Sequence, residues 1–185
     1  MSQTEADYLN TVMCAGTDAL GTVQEFSDLR GANSFQAVFG CVDGTHIAVR
    51  APPTDAGSYY NSKGLHSILL QVVCNANLEF IDSYVKWSGV ANDARVWQHN
   101  PLDRALQHNA DVIPVNTHLL ADCTYPLATY LMTPYRNNGH LSGKQKVFNM
   151  KLSSKRVIVA CKTQLSYWVP QPGSVSAVRG TDSFR

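Results

Sequence analysis

The stretch "GCVDGTHIAV", residues 40–49, has the apolar and β-branched make-up of a buried strand, yet Asp43 stands in its middle. An ionised carboxylate removed from water without a partner costs several kcal/mol. Any fold that accepts this strand must therefore bring positive charge, or a proton, to Asp43.

The surrounding pattern predicts a sheet. Strands are expected over 40–50, "LHSILLQVVCNAN" (65–77) and "LEFIDSYVKW" (78–87), with "NAN" turning the second into the third as part of an antiparallel meander. "ARVWQHNPLDRALQHN" repeats apolar residues at helical spacing, and Asn92 or Asp93 is placed to cap that helix. "HLLADCTYPL" (118–127) reads as a fourth strand with a second carboxylate, Asp122, at its end, and "TYLMTPY" (129–135) as a fifth. "KVFNMKLSSKRVIVACKTQL" (146–165) reads as a helix, and residues 4–26 carry a broken helical pattern. The last stretch, rich in Pro, Gly and Ser, reads as a disordered tail. The expected fold class is α/β, a mixed sheet with flanking helices, in a chain of 185 residues, long enough for one domain and a tail.

Two carboxylates drawn together repel, and one has its pKa raised unless a cation lies between them. Oxygen-rich acid sites suit Mg²⁺ or Mn²⁺, which in nucleases activate the attacking oxygen and stabilise the leaving one. Asp43 and Asp122 are candidates for such a pair, although 14 acidic residues offer many chance pairings. Other signatures are absent. No GxSxG or GxGxxG occurs, and "GHLSGKQ" (139–145) falls one residue short of a P-loop and ends on Gln rather than Ser or Thr. The five cysteines are scattered singly, which points to reduced and mostly buried thiols rather than zinc.

Charge is unevenly distributed. Between Asp122 and Asp182 there is no acid, while Arg136, Lys144, Lys146, Lys151, Lys155 and Arg156 fall there. Such a segment is either ordinary solvated surface or a face turned to nucleic-acid phosphates. No apolar run approaches the roughly 18 residues of a membrane span, and "MSQTEADYLN" has neither region of a signal peptide. The expectation is a protein of the nucleus or cytoplasm.

"FGCVDGTHIAVRAP", "YYNSKGLHSILLQVVCNAN", "WSGVANDARVW", "LLADCTYPLATYLMTPY" and "FNMKLSSKRVIV", in this order, resemble the DDE domain of the PIF/Harbinger transposases and Harbinger transposase-derived nucleases. The resemblance runs from about Phe39 to Val159. It implies a ribonuclease H-like fold over 37–165, with 1–36 as the remnant of an N-terminal helical segment and 166–185 as tail. It implies that Asp43, Asp122 and Asp93 are catalytic, metal-holding aspartates, Asp93 matching a further family acid alongside its capping reading. It also implies Mg²⁺ or Mn²⁺ as cofactor, DNA as substrate with the basic segment against its backbone, and a separate Myb-like DNA-binding partner.

The departures carry as much weight. After "KRVIV" the family has Glu, on its last catalytic helix, where this chain has Ala160, and "ACKTQLSYWVPQPGS" bears no clear likeness to it. Ser88 replaces a usual Pro and Asn92 a usual His. Three readings follow: a nuclease with crippled chemistry, a binding module for DNA or protein, and an unstable fragment whose truncated last helix leaves a sheet face bare.

Overall fold

The computed structural model describes residues 35–108 and 112–160, with the side chains of the last helix up to Arg156, together with Val23, Gln24 and Phe26. Apart from those three residues, which are helical, the expected helical segment over 4–26 lies outside the described residues, as does the expected tail.

Strands β1 (Val38–Ala48), β2 (Ser67–Cys74) and β3 (Phe80–Ser88) form the expected antiparallel meander. The turn between β2 and β3 closes on Asn75, whose amide donates to Glu79 O and whose side chain pairs with both the backbone and the carboxylate of Glu79. Strands β4 (His118–Leu120) and β5 (Leu131–Met132) then add parallel to β1, giving the order β3-β2-β1-β4-β5. This is a five-stranded mixed sheet with flanking helices, an α/β fold consistent with a ribonuclease H-like architecture.

Both sheet faces are covered. On one, Phe39, Val42, Val73, Ile81 and Leu119 pack under Trp97, Leu102 and Leu106 of helices α1 (Asp93–His99) and α2 (Pro101–His108). On the other, Val38, Cys41, Val72 and Leu120 meet Phe26, and Leu152 and Phe148 of helix α3 (Gly143–Ala160). The fragment reading, in which one sheet face lies bare, differs from this arrangement, since α3 covers that face. Helix α3 is anchored three times. "SGKQ", the near-P-loop, is a capping box, in which Gln145 N donates to Ser142 Oγ at 3.3 Å and Ser142 N to Gln145 Oε1 at 2.8 Å. Asn149 exchanges two hydrogen bonds with the backbone of Tyr135. Lys155, 1% exposed, donates from Nζ to Phe26 O at 2.7 Å.

Several boundaries differ from the sequence pattern. The helix expected from Asp93 onward is two helices, because the residue before a proline avoids the helical region. Asn100 is extended, at φ −68° and ψ 130°, and its buried side chain caps the next helix through Leu102 N. The fourth strand is three residues rather than ten, because Asp122 turns the chain by accepting from Thr124 N at 2.8 Å. The last helix starts three residues earlier than its pattern suggested, at the capping box, and residues 161–165 fall outside the described part. Among the described cysteines Cys41 and Cys74 are buried as expected and Cys123 is exposed. No helix among the described residues is long and apolar enough to cross a membrane.

The register between β1 and β4 places the acids. Cys41 pairs with Leu120, and because the strands run parallel, Asp43 and Asp122 each lie two residues further in the same direction. Neighbouring strands are about 4.8 Å apart. Leu120, fully buried under α3, thus supports both the core and the position of Asp122. Leu120→Ala is expected to cost about 2–5 kcal/mol, read as a lower urea midpoint with an unchanged slope.

Candidate active site

Asp43 lies on β1 opposite Val72 of β2. Side chains alternate across a strand, so Asp43 shares the face of Cys41 and looks toward α3. Asp122 reaches the same place from the end of β4, its carboxylate fixed by Thr124, whose amide and hydroxyl both donate to Oδ1. Asp93 arrives from the first turn of α1. The cap of that helix is Asn92, which accepts from Arg95 N at 2.9 Å, so capping does not occupy the Asp93 carboxylate. That carboxylate lies over Gly44, where a Cβ would overlap it. Glycine at position 44 is what lets the Asp93 carboxylate lie against β1.

A buried polar network holds Asp93 from behind. Gln71, fully buried and paired with Gly44 across β1 and β2, donates to Asp93 O at 3.3 Å and to Tyr125 Oη at 3.1 Å. Asn100 Nδ2 donates in turn to Gln71 Oε1 at 3.2 Å and to buried Asp82 Oδ2 at 3.4 Å. A glutamine in the interior of β2 and a buried Asn-Pro break are thus explained by one support for the acid site. Neither was singled out from the sequence, where each reads as an ordinary polar residue.

The partner of Asp43 is Arg156. One guanidinium nitrogen, Nη2, lies 3.6 Å from Asp43 Oδ1 and 4.0 Å from Asp122 Oδ2. Burial pushes the Asp43 carboxyl above its usual range; Arg156 pulls it back and Asp122 pushes it up again. Asp93 is pushed up to about 6, first by burial and then by Asp122 and Asp43, with Arg156 opposing. The three acids and the arginine form one electrostatic unit.

The basic residues of the sequence segment divide. Arg136, Lys144, Lys146 and Lys151 are exposed on α3 and the loop before it. Lys155 is instead placed in the interior, and Arg156 is turned to the acids. Ala160 is the last residue of α3, and its side chain lies outside those described. By helical spacing, position 160 falls one turn beyond Arg156 on the same stripe of the helix.

The residues fit a divalent cation as half of a site. Asp43 and Asp122 offer hard oxygens of the kind Mg²⁺ and Mn²⁺ prefer, and the guanidinium between them marks where positive charge is favoured. Among the described residues no three His, Cys, Asp or Glu side chains are arranged to enclose a metal ion.

The structure is thus a mixed five-stranded sheet in which two aspartates from neighbouring strands face one arginine of the last helix. The sequence profile described as "DDE superfamily endonuclease" matches residues 42–166, and the chain belongs to that family. The match continues seven residues past Val159. Among similar proteins, "Putative nuclease HARBI1" of Rattus norvegicus is 34% identical over 110 residues, covering 60% of this chain and 30% of that protein. The protein of the same name from Homo sapiens is also 34% identical, with the same coverage. "Protein ALP1-like" of Arabidopsis thaliana is 24% identical over 109 residues, 52% of this chain and 27% of its own length. The chain spans about a third of the length of the curated relatives it matches. No solved structure gives a significant match.

The raised Asp93 carboxyl links stability to pH. Its unfolded value, near 3.8, lies below the folded value of about 6, so the folded state holds the proton more tightly. Stability is therefore lost as pH rises from about 4 to about 6 and stays lost above. Asp93→Asn cannot ionise, so it is expected to melt close to the wild type at pH 4 and above it at pH 7. A variant that melts lower at pH 7 contradicts this electrostatic picture.

Proposed function

We propose that this domain derives from a metal-dependent endonuclease acting on DNA phosphodiesters, and that its catalytic power is crippled by the lack of a third acid at Ala160. The observation that carries the reading is the convergence of Asp43 and Asp122, from parallel neighbouring strands, on a single cationic point. Two such carboxylates would hold Mg²⁺ or Mn²⁺, and the ion would supply charge stabilisation and an activated oxygen nucleophile for phosphodiester hydrolysis. Asp93, whose carboxylate lies over Gly44, would act on that centre through its charge. Position 160, on the stripe of α3 that carries Arg156, is where a further acid would approach the same centre. A site lacking one ligand positions its ion loosely, and small misplacements of reacting groups cost about 100-fold in rate.

On this reading, magnesium-dependent cleavage of duplex DNA by the chain is expected to be weak, and Ala160→Glu to raise it by more than about tenfold. Asp122→Asn should remove the gained activity. An Ala160→Glu protein that folds but cleaves no faster than the wild type contradicts the assignment of position 160.

A second reading is favoured by the exposed set Arg136, Lys144, Lys146 and Lys151. A domain with this surface and a weakened acid site would bind DNA without cutting it, alone or beside a Myb-like DNA-binding protein, in the nucleus. Neutralised phosphates release counterions, so affinity for a duplex should fall steeply with salt. Filter or fluorescence titrations between about 50 and 200 mM salt test it. Absence of binding even at the low end rejects it.

A further inference from the structure

Arg156 occupies an unusual position for a charged residue. Its Nε is buried without a hydrogen-bond partner in the structure, and its contacts to Asp43 and Asp122 span 3.6 and 4.0 Å. A well-made arginine–carboxylate pair is bidentate, with nitrogen–oxygen distances of about 2.7–2.9 Å. The guanidinium thus gives up water without gaining an ideal partner, which costs free energy unless charge neutralisation repays it. Two carboxylates, those of Asp43 and Asp122, lie within 4.0 Å of one guanidinium nitrogen and supply that incentive. No acid follows one turn later, since position 160 is alanine, so no carboxylate on its own helix draws the guanidinium away.

We propose that Arg156 is the resident cation of the acid cluster and competes with a divalent ion for Asp43 and Asp122, so that metal enters only as the guanidinium leaves. The inference rests on the reading of Asp43 and Asp122 as a metal site and adds a control element to it. The loose contacts matter here, because a tether held by imperfect pairs is displaced more readily than a bidentate clamp. The anchors of α3, through the Ser142–Gln145 capping box, Asn149 and Lys155, keep the helix in place while only the Arg156 side chain swings. The arrangement makes the empty and metal-loaded states mutually exclusive at one guanidinium.

Calorimetric titration of Mn²⁺ into the wild-type chain and into Arg156→Gln tests the competition without any cleavage readout. The variant is expected to bind Mn²⁺ about tenfold more tightly, a typical size for coupled binding. Adding Asp122→Asn to it should abolish the gain. Arg156→Lys, which keeps a charge, should stay near the wild type. Equal affinity in wild type and Arg156→Gln overturns the competition while leaving the metal site standing. Absence of Mn²⁺ binding in both overturns the metal site and the competition together. Should Arg156→Gln fail to fold, the wild type alone decides. The NMR resonance of the Arg156 Nε–H group is expected to shift and saturate as Mg²⁺ binds, and a resonance that stays fixed through a one-to-one binding curve refutes the displacement.

Discussion

Everything at this site depends on the parallel pairing of β1 with β4. A parallel neighbour in register at Cys41 and Leu120 carries the two strands to Asp43 and Asp122 side by side, on the face that α3 covers. Once there, the carboxylates repel each other in a partly dry setting, where charge interactions are stronger than in water. The need for a cation follows from that geometry alone. It is met from the opposite layer, by an arginine on a helix held down at its start, its middle and next to the arginine itself.

The elements that bear the site were legible because each has its own local cause. The meander shows in alternating apolar runs and an Asn-rich turn, and Asp43 stands out as a charge in an apolar strand. The short fourth strand was not legible, since its end is decided by an Asx turn at Asp122, and a tyrosine and a leucine beyond it mimic a strand in composition. The break at Asn100 was signalled by Pro101 but masked by strong helical periodicity on either side. "SGKQ" has the spacing of a capping box, a signal eclipsed by its likeness to a phosphate loop.

At the site, Asp43 and Asp122 could be named from the chain, and Asp93 could be named without choosing between its two roles. The structure gives capping to Asn92 and turns Asp93 toward Gly44. Arg156 and Lys155 illustrate the opposite difficulty. Adjacent basic residues in a one-signed segment look like surface, and only helix geometry reveals that one is buried against Phe26 and the other spans two acids. Gln71, Asn100 and Asp82 escaped for the same reason: a buried polar network is a property of three distant segments meeting, and none of them announces it alone.

The domain thus combines the sequence of the DDE superfamily endonuclease family with two strand aspartates that face one helix. An arginine stands where positive charge is required. Diffraction from manganese-soaked crystals, recorded at the manganese absorption edge, tests that account most directly. An anomalous peak between Asp43 and Asp122 with the Arg156 side chain withdrawn is the result it predicts; manganese absent from that position, or present with Arg156 unmoved, would contradict it.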